Sequence, residues 1–81
     1  MNELEKLKVD DKVLVINKNS DHYCSVGTVF LVDDKYDSLL CWVGFARSGA
    51  FDLFDRKELY YLTLSQSIDE NYLFEVIKEM E

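Results

Sequence analysis

The chain has 81 residues, enough for one domain, and a chain this short buries only about 60–65% of the surface its unfolded form exposes. A hydrophobic fraction of 48% excludes a disordered chain, and no apolar run reaches the roughly 18 residues of a membrane span. Sixteen acidic residues against nine lysines and arginines give a net charge of −7, which repels nucleic acid unless the basic side chains converge, and favours basic partners.

The start, Met1-Asn2-Glu3-Leu4-Glu5-Lys6, is too charged for a secretory signal, so a cytoplasmic protein with no membrane partner is expected. Leu4 and Leu7 fit one helical turn or an extended lead-in. Asp10-Asp11 reads as a turn into a first strand over residues 12–17, with Val13 and Val15 on one face and Leu14 and Ile16 on the other. Residues 18–25 are polar and aperiodic, a surface loop long by hairpin standards.

Two runs rich in β-branched and aromatic residues follow, at 26–32 and 39–45, joined by the turn-forming Asp33-Asp34-Lys35-Tyr36-Asp37-Ser38. They predict a long β-hairpin at the centre of the core. Gly27 marks a bulge or a close backbone approach, and a bulge there bends the strand. Phe30, Phe45 and Phe51 are assigned to the core. Gly49 supplies a turn, residues 51–54 a short fourth strand with Phe51 and Leu53 on one side, Asp55-Arg56-Lys57-Glu58 a tight helical turn, and residues 59–62 a fifth strand.

The period then switches. Ser67 and Glu70 have the spacing of a capping box, and Tyr72, Leu73, Val76, Ile77 and Met80 share one helical face, so residues 68–80 are predicted as an amphipathic helix. Phe74 points away from that apolar stripe. The predicted fold is mainly β: one domain with a small five-stranded barrel over about 8–62 and a C-terminal helix.

The segments Leu7-Lys8-Val9-Asp10-Asp11-Lys12-Val13-Leu14-Val15, Val26-Gly27-Thr28-Val29, Val43-Gly44-Phe45 and Phe54-Asp55-Arg56-Lys57-Glu58-Leu59 resemble the outline of SH3-like barrels of the KOW type. Small accessory proteins of photosynthetic complexes, photosystem I among them, are similar. The resemblance implies an SH3-like barrel and a docking module. Asp10 stands where that outline has glycine, the basic residues such domains present to RNA are sparse, and the C-terminal helix is an addition.

No motif commits the chain to catalysis or to a cofactor. His22, Cys24 and Cys41 offer soft ligands but lack the paired spacing of a structural zinc site. His22 and Cys24 alternate on an extended segment, which opposes a nucleophile–base pair. Cys24 and Cys41 are expected to stay reduced. Asp33, Asp34 and Asp37 lack the glycine and distal glutamate of a calcium loop. Asp10 and Asp11 have no pocket-forming partner, so the protein is not expected to be an enzyme.

The expected function is therefore binding: an acidic accessory or inhibitory protein that docks on a basic partner surface. Its extreme form is a phage-type mimic whose carboxylates imitate phosphates. Asp33, Asp34, Tyr36, Asp37, Tyr60, Glu70 and Phe74 are the candidate contact residues. Two alternatives are a KOW-like nucleic-acid-binding domain using Arg47, Arg56, Lys57 and Tyr60 or Tyr61, and a non-catalytic subunit of an enzyme complex.

Overall fold

A computed structural model of the chain describes residues 7–33 and 40–80. Five antiparallel strands, β1 (Lys12–Val15), β2 (Val26–Asp33), β3 (Leu40–Phe45), β4 (Ala50–Asp55) and β5 (Leu59–Leu62), form one sheet in the order β4-β3-β2-β1-β5. A 3-10 helix, Arg56–Glu58, separates β4 from β5, and two helices follow, α1 (Leu64–Ser67) and α2 (Glu70–Met80). The sheet is not closed: β4 and β5 are its two edges.

Side-chain alternation sorts the strands onto two faces. The inner face gathers Val13 and Val15 of β1, Val29 of β2, Cys41, Val43 and Phe45 of β3, Phe54 of β4 and Leu59 of β5 into one buried cluster. Residues from both ends of the sheet meet there, so the sheet curls around its own inner face. On the outer face, Leu14 and Leu62 pack with Ile16, Val26 and Tyr60 beneath Tyr72, Leu73, Val76 and Ile77 of α2. Strand β1 is thus covered on both sides, which is why Val13-Leu14-Val15 is uninterrupted apolar sequence rather than alternating.

Gly27 works by close approach and not as a bulge. It lies in the regular β1–β2 register opposite Val13, and a Cβ there would stand 2.4 Å from Val43 Cγ1 and 2.9 Å from the Gly44 carbonyl oxygen. The irregularity falls further along, where the β2–β3 register slips between Val29 and Leu31 and leaves Phe30 as the extra residue. Asp10 adopts φ 81°, the left-handed region that glycine favours and aspartate is among the few to tolerate. Its turn is held by Asp11, whose Oδ2 accepts from the Lys8 N–H at 2.8 Å, and is tied to β2 by the Asp10 N–H donating to the Val29 carbonyl at 2.7 Å.

The charged tetrapeptide forms its predicted tight turn. Asp55 and Glu58 build a capping box around the 3-10 helix, and the other Glu58 carboxylate oxygen accepts from Asn17 Nδ2 at 2.9 Å. The C-terminal helix differs from its predicted form. Thr63 and Gln66 make the capping box of α1, which ends at Ser67, while Asp69 Oδ1 accepts from the Tyr72 N–H at the start of α2. Ser67 is instead the last residue of α1, donating its hydroxyl to the Leu64 carbonyl at 2.6 Å, and the cap of α2 falls to Asp69. Met80 ends the predicted apolar stripe yet remains exposed, because Val76 and Ile77 are the last side chains that reach the sheet.

Candidate docking face

Helix α2 covers only the β1–β5 half of the outer face. On the other half, register places side chains in cross-strand rows. Thr28, Gly44 and Phe51 form one row, Leu31, Trp42 and Leu53 the next, and Asp33, Leu40 and Asp55 the last. The extra residue in β2 lets Phe30 join Leu31 on this side. Phe51 is 64% exposed, Leu31 50% and Phe30 47%, with Leu53 exposed and Trp42 half-buried between them. Scaled by side-chain size this is about 400 Å² of apolar surface, the size of the largest patch on a typical monomer, which is often functional.

Three rings order the patch. Phe51 meets Phe30 edge-on at 5.8 Å between centroids and Trp42 at 6.0 Å, while Phe30 and Trp42 stand 6.4 Å apart. Phe30 also lies over Gly44, where even an added Cβ would meet the ring at ordinary contact distance. These edge-to-face contacts hold the rings in fixed orientations and leave their outer surfaces in water. Lys12 borders one end, its Nζ donating to Thr28 Oγ1 at 2.8 Å, and Asp33 and Asp55 border the other.

Of the residues singled out from sequence, Asp33 closes β2 at the acidic end of this face. Asp34, Tyr36 and Asp37 lie outside the described residues. Tyr60 sits beneath α2, its hydroxyl 3.3 Å from that of Tyr72, so it serves the fold. Glu70 opens α2 and is exposed, and Phe74 is 63% exposed with Lys78 Nζ 5.9 Å from its ring centre. Glu70 and Phe74 share α2, while Asp33 stands on β2 and Tyr60 on β5. The aromatic patch escapes the sequence pattern because Phe30 and Phe51 read as core. The usable signal is that 39–45 and 51–54 are apolar on both alternating positions although only one helix follows to cover them.

The nucleic-acid set does not converge. Arg47 precedes β4 and Arg56 follows it, so the strand separates them by about 17 Å. Tyr61 packs against the inner cluster. The soft ligands are also apart: His22 stacks on Phe45, Cys24 is exposed and Cys41 is fully buried. Among the described residues no three His, Cys, Asp or Glu side chains group as a metal site. Burial pushes the Cys41 thiol above its ordinary range, Arg56 opposes that and Asp55 adds to it.

No protein-family model, curated protein or solved structure matches this chain. Among the described residues no helix is long and apolar enough to cross a membrane.

Proposed function

We propose that the protein is an acidic protein-binding module, an accessory or inhibitory chain that docks on its partner through the outer face of β2, β3 and β4. The observation that carries this reading is the contiguous exposure of Phe30, Leu31, Phe51 and Leu53 around Trp42, on rigid strands, in a chain of net charge −7. Aromatic anchors in a small apolar patch with charged margins are the composition of an interface core. The reading assigns the chain no reaction of its own.

The underlying fold is a partly open SH3-like barrel of the KOW type. Five strands, a long polar loop after the first, a closely approached glycine in the second and a 3-10 turn before the last support it. Direct nucleic-acid binding is the weaker reading because Arg47 and Arg56 sit at opposite ends of β4.

A photo-crosslinking residue placed at position 51, with a control at the exposed Ser65 of α1, tests the reading. In a bacterial lysate the first is expected to capture a discrete partner that the control does not, and a Leu31→Asp/Phe51→Asp variant to lose that partner in pull-downs. Retention of the partner by the double variant overturns the reading. So does RNA or DNA binding that weakens steeply with salt and disappears in Arg56→Glu.

A further inference from the structure

We infer that Asp52 closes the edge of β4 against a second copy of this chain: its carboxylate occupies the Leu53 N–H that a pairing strand needs, and it sets like charges opposite each other at the centre of such a pair. The inference goes beyond the docking reading, which concerns the face of the sheet and not its edge.

The direction of the edge groups follows from register. The Val29 N–H donates to the Asp11 carbonyl and the Asp10 N–H to the Val29 carbonyl, so Val29 bonds on the β1 side and Thr28 turns its own groups toward β3. Thr28 lies opposite Gly44, and Gly44 opposite Phe51. Alternation then turns the N–H and carbonyl groups of Phe51, Leu53 and Asp55 away from β3, out of a strand that pairs on one side alone.

Two of these donors are taken by the chain itself. The Leu53 N–H donates to Asp52 Oδ1 at 2.8 Å, and the Asp55 N–H to Glu58 Oε2 at 3.0 Å. Both carboxylates are steadied from elsewhere: His22 Nε2 lies 3.8 Å from Asp52 Oδ2, and Asn17 Nδ2 donates to Glu58 Oε1. The Phe51 N–H and the Phe51 and Leu53 carbonyls stay directed outward.

Symmetry names the strand that this arrangement keeps away. An antiparallel copy centred on Asp52 sets Phe51 opposite Leu53 of the second copy and Leu53 opposite its Phe51, each pair exchanging both N–H···O bonds. The same register joins the exposed Phe51 and Leu53 side chains of the two outer faces into one apolar surface. Asp52 opposes it twice. Its Oδ1 holds the Leu53 donor in each copy, and the two Asp52 side chains stand directly opposite with like charge, about 5 Å apart.

Asp52→Val supplies a strand-forming residue with neither acceptor nor charge, and sedimentation equilibrium reads the result. In about 0.15 M salt the original chain is expected to stay monomeric at about 500 µM, and Asp52→Val to dimerise at least about tenfold below that concentration. Its Phe51 amide should then exchange hydrogen more slowly, and its Trp42 emission move to shorter wavelength, as concentration rises. Asp52→Val/Leu53→Pro loses the outward donor, keeps the bonds to β3 and is expected to be monomeric. Should proline unfold the chain by circular dichroism, Asp52→Lys takes its place: it also lacks the cap but restores like charges at the centre of the pair, so it is expected to be monomeric. His22→Ala leaves the Asp52 cap in place and is expected to be monomeric too. A monomeric Asp52→Val overturns the inference, and so does a dimer of the original chain or of His22→Ala. A dimer that survives Leu53→Pro or forms in Asp52→Lys overturns it as well, because the contact then lies elsewhere than the β4 edge.

Discussion

The His22 imidazole lies flat on the Phe45 ring, with centroids 4.4 Å apart and planes 9° from parallel. The long polar loop is in this way fastened to the core, and Phe54 meets the same imidazole edge-on at 6.1 Å. The loop's own bonds prepare the placement: the His22 N–H donates to Ser20 Oγ, and the Cys24 N–H to the Val15 carbonyl. His22→Ala is expected to lower stability by about 1 kcal/mol, the scale of one aromatic pair, and to speed hydrogen exchange across residues 18–25. His22→Phe should retain most of the stability. Equal chemical-denaturation midpoints for the original chain and the alanine variant would count against a fastening role.

Two glycines of the central strands predict opposite outcomes. At Gly27 a methyl group meets Val43 Cγ1 at 2.4 Å and the Gly44 carbonyl at 2.9 Å, and the backbone oxygen has no alternative position. Gly27→Ala should cost at least ~2 kcal/mol through overpacking. At Gly44 the added methyl finds only the Phe30 ring, at 3.6 Å, in ordinary contact. Gly44→Ala should be neutral or stabilising by about 0.5 kcal/mol, since alanine loses less backbone entropy than glycine in a strand. Thermal unfolding of the two variants checks both.

Periodicity made the strands, the Val13/Leu14 division between faces and the apolar stripe of α2 legible, because each is a local pattern enforced by burial. Tertiary coverage was not legible. Phe45 and Phe51 look alike in sequence, and only the register of β3 and β4 decides that one faces inward and the other outward. The one-residue slip at Phe30 changes which side its ring takes and has no sequence marker of its own. The S-x-x-E spacing at Ser67 and Glu70 was a fair capping signal that lost to Thr63 and Gln66 four residues earlier, where the chain leaves β5. The candidate site was therefore half visible: its acidic margin at Asp33 was legible directly, and its aromatic centre was hidden by the assumption that large aromatics fill cores.

The two thiols should separate cleanly in reactivity. Cys41 is fully buried on the inner face, whereas Cys24 is exposed at φ 73° in the loop. Titration of the folded protein with a thiol reagent is expected to label one cysteine quickly and the second only on unfolding. Cysteine gains nothing from the left-handed backbone, so Cys24→Gly should remove about 1–2 kcal/mol of strain against a smaller entropic loss. The net expectation is a gain of about 0.5 kcal/mol in a denaturant titration, with rapid labelling abolished. Destabilisation by this substitution would show that the Cys24 side chain makes a contact that matters.

Alkaline pH should weaken the fold through two acids that folding holds neutral. Hydrogen bonding to the Tyr60 hydroxyl raises the Tyr72 phenol above its ordinary value of 10.0, with burial adding to the effect, and burial raises the Cys41 thiol above 9.0. A raised folded-state pKa means that the folded chain keeps its proton where the unfolded chain has lost it. The associated stability is complete below the unfolded-state value and is lost as pH climbs through the folded-state value. The denaturation midpoint is therefore expected to be flat below about pH 8 and to fall from about pH 9 upward. Rising negative charge lowers stability over the same interval, so the measurement is a comparison between chains. Cys41→Ala should start lower, by about 1 kcal/mol for the lost packing, and decline less steeply near pH 9. Tyr72→Phe should do the same near pH 10, and a Tyr60→Phe chain should shift the Tyr72 titration, followed by ultraviolet absorbance, back toward its ordinary range. Parallel declines in all the chains would mean that overall charge alone sets the alkaline limit.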